Sequence, residues 1–214
     1  MAIEPFVTLS FAQSLDGRIA ARPGEQTVLS GAASMHLTHR LRATHDAILV
    51  GIGTVLADDP QLTVRHVEGP NPQPVVVDST LRMPPDARLL DHPTHALWVA
   101  TTHQAPAEKR HTMTANRAEL LLVPQTTSGH VDLVALFTEL GRRGIRSVMV
   151  EGGAGIITSI LAGRLAHFAV ITVAPVWLGS EGLAAAGQLH VSVSLRSAHS
   201  LQLGEDTIIW GWLV

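Results

Sequence analysis

Ser147-Val-Met-Val-Glu151-Gly-Gly-Ala-Gly155 is the stretch of sequence that decides the fold. An apolar run of strand length ends here in a cluster of glycines, and a helical pattern follows directly. Glycines at such a turn let backbone N–H groups approach an anion, and the start of the helix adds a partial positive charge. The segment predicts a strand–turn–helix unit that could hold a pyrophosphate. Because it is not a complete GxGxxG pattern, glycines that serve packing alone remain an alternative.

A second strand-to-helix turn occurs in ILVGIGTVLADDP, residues 48–60. Gly51 lies at the carboxyl end of the apolar run, which is the end where open parallel sheets bind ligands. The hydroxyl of Thr54 is suited to donate to a phosphate or ribose oxygen. Asp58 and Asp59 follow a short helix, and the simpler interpretation is that they are solvated residues at its end.

Apolar, β-branched runs recur along the chain, with helical patterns between several of them. This alternation predicts an α/β fold with a mostly parallel central sheet that is flanked by helices on both faces. From His190 to Val214, the alternation in HVSVSL and TIIWGWLV predicts an antiparallel pair at the C-terminal edge. The predicted parallel strands are Phe6–Phe11, Ala47–Gly51, Pro74–Val77, Ala96–Ala100, Glu119–Val123, Ser147–Val150 and Phe168–Ala174.

Three stretches have the periodicity of helices. They are Ala32 to Thr44, with Ser30 where a helix cap would lie, Val131 to Arg143, and Ile156 to Ala162. The chain has no internal repeat and no low-complexity linker. Its 214 residues therefore predict a single domain over residues 1–214.

Composition excludes several classes of function. The net charge of −3 supplies no global basic field for nucleic acid, and the absence of cysteine excludes disulfides, thiolate nucleophiles and cysteine-ligated zinc. His36 and His39 have no carboxylate at a ligand spacing, so we expect no metal site. No apolar run is long enough for a membrane span and no signal peptide is recognisable, so we expect a cytoplasmic protein.

Arginines near the predicted strand ends are candidates for binding phosphate. Arg42 precedes the second glycine turn and Arg65 follows it, and two arginines that point into one cleft would suit a phosphorylated substrate. Ser79 and Arg82 follow a third strand, where a hydroxyl and a guanidinium would suit the 2′-phosphate of NADP. In an arbitrary α/β protein, most such arginines are surface charges.

Five segments in order resemble the reductase domain of the riboflavin-biosynthesis deaminase/reductase family. The resemblance implies a dihydrofolate-reductase-like fold, a homodimer and NADPH as cofactor. It also implies reduction of the ribosyl group of 5-amino-6-(5-phosphoribosylamino)uracil to a ribityl group. The segments are FAQSLDGRIA (11–20), LTHRLRATHDAILVGIGTVLADDPQLTVR (37–65), VVVDSTLR (75–82), GIRSVMVEGGAGI (144–156) and VAPVWLGSEG (173–182).

The resemblance assigns roles residue by residue. It implies substrate contacts at Arg42, Leu62, Arg65 and Glu151, and Glu151 and Asp58 are the candidates for proton transfer. The cofactor contacts that it implies, together with Arg82 from the phosphate argument, are Thr54, Asp58, Ser79, Gly152, Gly153, Ala154, Gly155, Ile156, Ile157, Thr158 and Ser159.

Departures from the family pattern leave alternatives open. The family's S-x-W segment is replaced by Gln26, Thr27 and Val28, which weakens or replaces one substrate contact and one cofactor contact. The cysteines that the family's zinc deaminase half requires are absent, so we expect another polypeptide to perform deamination. A dihydrofolate or pterin reductase with an altered pocket is one alternative function. A non-catalytic NADPH-binding protein is another.

Overall fold

The structure, a computed structural model, describes residues 4–214 and contains eleven strands and five α-helices in that range. The strands are β1 (Phe6–Ser14), β2 (Arg18–Ala20), β3 (Ala47–Gly51), β4 (Gln73–Val77), β5 (Trp98–Thr101), β6 (Glu119–Leu122), β7 (Ser147–Gly152), β8 (Phe168–Ala174), β9 (Leu183–Ala184), β10 (Leu195–Leu203) and β11 (Asp206–Leu213). The helices are α1 (Ala32–Thr44), α2 (Ile52–Asp58), α3 (Ala107–Ala115), α4 (Leu133–Arg142) and α5 (Ala154–Ala162), and a 3-10 helix covers Arg88–Asp91.

Nine strands form one sheet in the order β10-β11-β8-β1-β7-β3-β4-β5-β6, while β2 and β9 form a small separate pair. All pairings from β8 to β6 are parallel, and β11 and β10 are added antiparallel. The chain runs outward from β3 to β6 and then returns to place β7 between β1 and β3. The carboxyl ends of β1, β7 and β3 therefore lie side by side, at the kind of position where open sheets bind ligands.

The predicted fold class is confirmed, including the antiparallel C-terminal edge, but one part of that edge was predicted wrongly. The alternation in HVSVSL does not form a strand, because β10 begins only at Leu195. Leu195 pairs with Leu213, the last residue of β11, and Ser194 exchanges hydrogen bonds with Val214. Residues before Ser194 have no pairing partner on β11, so their alternation has no consequence for the sheet.

Apolar side chains cover both faces of the sheet. On one face, Leu136 and Phe137 of α4 and Ile157 of α5 pack against odd-numbered residues of β3 and β1 such as Leu49 and Leu9. On the other face, Val55 of α2 and Met113 of α3 belong to a second core with Ile48 and Val50. The strands are buried on both sides, as their continuous apolar runs predict.

Helix α4 confirms the predicted amphipathic pattern and begins at Leu133 rather than at Val131. The Asp132 carboxylate accepts hydrogen bonds from the backbone N–H groups of Val134 and Ala135, at 2.9 and 3.2 Å. This N-cap satisfies two donors that the first turn leaves free.

The other helices differ from their predictions at the ends. The predicted cap Ser30 is wrong, because Gly31 precedes α1 and donates its N–H to the Asp206 carboxylate at 2.8 Å. Helix α5 begins two residues before Ile156, directly after the glycines. Helix α3 was not predicted because it buries only Met113, so it carries no apolar periodicity.

We predict that Leu136→Ala lowers the free energy of unfolding by about 2–5 kcal/mol. Leu136 is fully buried between α4 and the sheet, so the truncation loses apolar burial and leaves a cavity. Urea titration followed by circular dichroism measures the change. The matched control is Val134→Ala on the same helix, where the side chain is 52% exposed. Equal losses in the two variants would contradict the assigned faces of α4.

Candidate active site

A cleft of about 520 Å³ opens at the carboxyl edge of the sheet. Its walls come from the end of β1, the segment 26–30, one face of α1, the stretch 54–65 after β3, Glu151 at the end of β7, and Arg88. Six of the predicted site residues line it together: Arg42, Thr54, Asp58, Leu62, Arg65 and Glu151. The structure thus brings residues from α1, β7 and the stretch after β3 to one place.

Arg42 and Glu151 form a bidentate ion pair across the floor of the cleft. Nε and one terminal nitrogen of Arg42 donate to the two Glu151 oxygens, both at 2.7 Å. The other terminal nitrogen donates to the backbone carbonyl of Thr63 at 2.9 Å. Burial disfavours the charged guanidinium, but attraction to Glu151 outweighs it and raises the pKa of Arg42. Arg42 therefore ties α1 to the end of β7 and to the stretch that carries Arg65.

Arg65 is held at the cleft through its backbone. Its N–H donates to Nδ1 of His39 at 3.0 Å, and the His39 side chain is fully buried beneath it. The Arg65 guanidinium donates to the hydroxyl of Thr63 at 2.9 Å. The imidazole of His39 must accept this bond, so it is neutral at Nδ1. Burial, followed by repulsion from Arg42 and Arg65, lowers the pKa of His39 to about 4.

The turn after β3 contributes Thr54 and two carboxylates. Burial raises the pKa of Asp58, which faces the cleft. Asp59 ends α2 in the left-handed region with φ of 40° and accepts the Arg88 N–H at 2.9 Å. Leu62 is also left-handed, with φ of 53°, and its side chain packs into the core beneath the cleft. Asp59 therefore has a structural bond besides its place in the cleft wall.

The glycine turn between β7 and α5 lies against the turn after β3. A side-chain carbon at Gly153 would lie 3.2 Å from the Thr54 hydroxyl oxygen, and one at Gly51 would lie 2.7 Å from Ile156. Gly152 has φ of 122°, a conformation that other residues rarely adopt. No side chain caps the start of α5, so the first-turn N–H groups are available to an anion.

Several predicted cofactor residues do not line the cleft. Ser79 follows β4, and its hydroxyl accepts the Val131 N–H at 3.0 Å. Arg82 is exposed beyond it. Within α5, Ile157 is buried in the core, while Thr158 and Ser159 donate their hydroxyls to helix carbonyls at 2.6 and 2.9 Å. Cofactor contacts at these positions stay predictions.

Two further features were missed from the sequence. Arg88 lines the cleft, although only its position shortly after VVVDSTLR links it to the other predicted residues. The Gln26–Val28 segment, where the family pattern is lost, also lines the cleft, with Val28 78% exposed. The Thr27 hydroxyl accepts the Ala21 N–H at 2.8 Å, which folds this segment back onto the chain.

Asp16 joins two of the segments that carry the family resemblance. Its carboxylate accepts the Ser14 hydroxyl at 2.6 Å and the N–H groups of Leu178 and Gly179 at 3.1 and 2.7 Å. The Ser14 bond, followed by the Leu178 bond, lowers the pKa of Asp16 to about 2. The loops after β1 and β8 are therefore held together by an ionised carboxylate at the edge of the sheet.

Residues 4–214 contain no group of three or more histidine or acidic side chains that could hold a metal ion. Within the same range, no helix is both long and apolar enough to span a bilayer.

Removing the carboxylate of the buried pair should be costly. We predict that Glu151→Ala lowers the free energy of unfolding by about 3 kcal/mol, because Arg42 is left nearly buried without a counter-charge. Glu139→Ala is the control, since its ion pair with Arg143 is more exposed and should cost at most about 0.5 kcal/mol. Urea unfolding measures both, and equal effects would contradict a structural role for the buried pair.

His39 should make stability depend on pH. Its folded pKa of about 4 lies below the ordinary 6.5, so the unfolded chain takes up the proton first. Its contribution is complete above pH 6.5 and declines as the pH falls toward 4. We predict a flatter profile in this window for His39→Asn, whose side-chain oxygen can still accept the Arg65 N–H. Exposed His103→Asn is the control, and a profile unchanged by His39→Asn would contradict the assignment.

Comparison with known proteins identifies the family. Residues 5–209 match the family described as the RibD C-terminal domain. Among curated proteins, the chain is 36% identical to the 2,5-diamino-6-ribosylamino-4(3H)-pyrimidinone 5′-phosphate reductase of Methanothermobacter thermautotrophicus, over 97% of each chain. It is 37% identical to the reductase of the same name from Debaryomyces hansenii, over 84% of this chain and 78% of the relative.

Solved structures agree with this assignment. The riboflavin biosynthesis reductase Rib7 of Saccharomyces cerevisiae superposes with a TM-score of 0.82 at 29% identity, covering 100% of this chain and 92% of that one. Dihydrofolate reductase from Enterococcus faecalis, at 10% identity and a TM-score of 0.52 over 99% of each chain, shares the fold alone. The matched family, the relatives and the cleft geometry together lead to one conclusion: this chain belongs to the RibD C-terminal domain family of riboflavin-biosynthesis reductases.

Proposed function

We propose that this protein reduces the ribosyl group of a 5-phosphoribosylamino-pyrimidine to a ribityl group with NADPH, as a step of riboflavin biosynthesis. The observation that carries the proposal is the joint presence of Arg42, Leu62, Arg65 and Glu151 in one cleft, next to a glycine turn. Family membership implies a nicotinamide cofactor, and the choice of NADPH over NADH is part of our proposal.

The glycine turn fits a pyrophosphate. The start of α5 has no side-chain cap, and Gly153 leaves a space beside Thr54 that a side-chain carbon would fill. The free N–H groups of α5 would hold the pyrophosphate and Thr54 a neighbouring oxygen. When bound, the nicotinamide supplies the hydride that reduces the sugar C1 carbon.

The remaining residues would bind and orient the substrate. Arg65, with no carboxylate partner among residues 4–214, would bind its phosphate. Arg42 and Glu151 hold each other rigidly and leave free lone pairs and N–H groups for polar atoms of the substrate. Rigid placement lowers the entropy cost of aligning sugar and cofactor.

Proton transfer falls more naturally to Asp58 than to Glu151. Both Glu151 oxygens already accept hydrogen bonds from a guanidinium, which stabilises the carboxylate form. Burial raises the pKa of Asp58, which favours a carboxyl group that holds a proton. Asp58 would then deliver this proton to the departing ring oxygen or to the imine nitrogen as the C1–H bond forms.

Two pyrimidines compete as the substrate. Our sequence analysis indicates 5-amino-6-(5-phosphoribosylamino)uracil, the base formed after deamination. The two curated reductases above are named for the 2,5-diaminopyrimidinone, which still carries the amino group. Both have the same phosphoribosylamino group, so the reduction that we propose is the same for either base.

A homodimer and a cytoplasmic location are also part of the proposal. Trp212 of β11 is 50% exposed and packs edge-on against Phe6 and Phe168, which are themselves only partly buried. This aromatic group is a suitable surface for a second copy of the chain.

The proposal is tested by following the nicotinamide absorbance of NADPH with each pyrimidine, and with dihydrofolate in parallel. We expect oxidation with at least one phosphoribosylamino-pyrimidine and none with dihydrofolate. Asp58→Asn should lower kcat by about 10²–10⁴-fold, because the amide cannot donate a carboxyl proton. Exposed Asp86→Asn is the control.

Oxidation with dihydrofolate alone would replace the proposal by a repurposed pocket. NADPH binding without turnover of any of the three compounds would favour a non-catalytic binding protein. An Asp58→Asn variant with full activity would leave the reaction standing but remove Asp58 as the proton donor.

A further inference from the structure

Arg88 is built into the cleft although neither the sequence pattern nor the family resemblance gives it a role. It begins the 3-10 helix between β4 and β5, and its neighbours Ala87 and Leu89 are buried in the core. Its backbone N–H donates to the Asp59 carboxylate at 2.9 Å. The backbone is therefore fixed at the rim, while the side chain is exposed and faces the cleft.

The uncompensated positive charge of the cleft comes from Arg65 and Arg88. Arg42 is neutralised by Glu151 in a bidentate pair. Within residues 4–214, neither Arg65 nor Arg88 forms an ion pair with a carboxylate. The Arg65 guanidinium has only neutral acceptors, the Thr63 hydroxyl at 2.9 Å and the Gln61 amide oxygen at 3.5 Å. Both guanidiniums keep N–H groups free for a ligand.

The two arginines are close enough to affect each other. Burial, followed by repulsion from Arg42 and then from Arg88, lowers the pKa of Arg65. An anion between Arg65 and Arg88 would relieve this repulsion. The acids nearby do not serve as that anion: Glu151 is paired with Arg42, and Asp59 bonds to the Arg88 backbone.

We propose that Arg65 and Arg88 together bind a phosphate monoester, with Arg88 as an additional specificity residue for the 5-phosphate of the ribosyl substrate. This inference rests on the proposed function in naming the substrate, but the phosphate site itself does not require turnover. Two guanidiniums from separate loops match the several terminal oxygens of a monoester, which an ordinary hydroxyl does not offer.

The same chemistry also occurs in the 2′-phosphate of NADPH. The position of Arg88 favours the substrate, because it shares the cleft with Arg65 and Leu62, whereas residues 152–159 of the glycine turn do not line that cleft. The experiment must therefore separate the two phosphates.

The test compares Arg88→Ala with the matched control Arg82→Ala, an exposed arginine from the same connection that does not line the cleft. Calorimetry measures the binding of ribose 5-phosphate, of ribose, and of NADPH and NADH. Turnover assays measure KM and kcat with the phosphorylated pyrimidine. We expect Arg88→Ala to weaken ribose 5-phosphate binding and to raise KM by about tenfold to a hundredfold. The affinity for NADPH should stay unchanged, and kcat within about twofold.

Three results would overturn the inference. One is an Arg88→Ala variant that binds ribose 5-phosphate as the control does. Another is a loss confined to the preference for NADPH over NADH, which would assign Arg88 to the cofactor phosphate. The third is an unchanged protein that does not bind ribose 5-phosphate. If ribose 5-phosphate binds through Arg88 but no pyrimidine is reduced, the phosphate site stands and the proposed function fails.

Discussion

The bidentate pair between Arg42 and Glu151 is the interaction on which the rest of the site depends. It connects α1 to the end of β7, and through the Thr63 carbonyl it also fixes the stretch that leads to Arg65. A nearly buried ion pair is stable only when most of its polar atoms are bonded, and here the carboxylate accepts two bonds and the guanidinium donates three. The shape of the cleft therefore follows from the requirement to compensate one buried charge.

Around this pair, the cleft and the adjoining turn divide into regions of different chemistry. The glycine turn offers backbone N–H groups at the start of α5, and the opposite rim offers the guanidiniums of Arg65 and Arg88. Thr54 and Asp58 lie between them on the turn after β3. This arrangement places a diphosphate and a phosphate monoester at separate ends, which would leave the reacting sugar near a carboxyl group that can hold a proton.

The sequence predicted most of the fold because seven apolar runs are long enough to identify strands buried on both faces. It failed where local pattern and tertiary pairing disagree. The alternation in HVSVSL has no partner strand, α3 buries only one side chain, and Ser30 does not cap α1 because the Asp206 carboxylate binds the Gly31 N–H instead. Each of these outcomes depends on residues far away along the chain.

For the site, the sequence by itself determined which residue types follow the strand ends: the two glycine turns, the arginines that flank them, and the acids. Only the tertiary structure decided their pairing, because β7 returns to lie between β1 and β3 after the chain has already formed four other strands of the sheet. That return brings Glu151 to Arg42, 109 positions away, and leaves Arg65 and Arg88 without counter-charges. Charge compensation is a property of distances in space, which a linear pattern of residues does not contain.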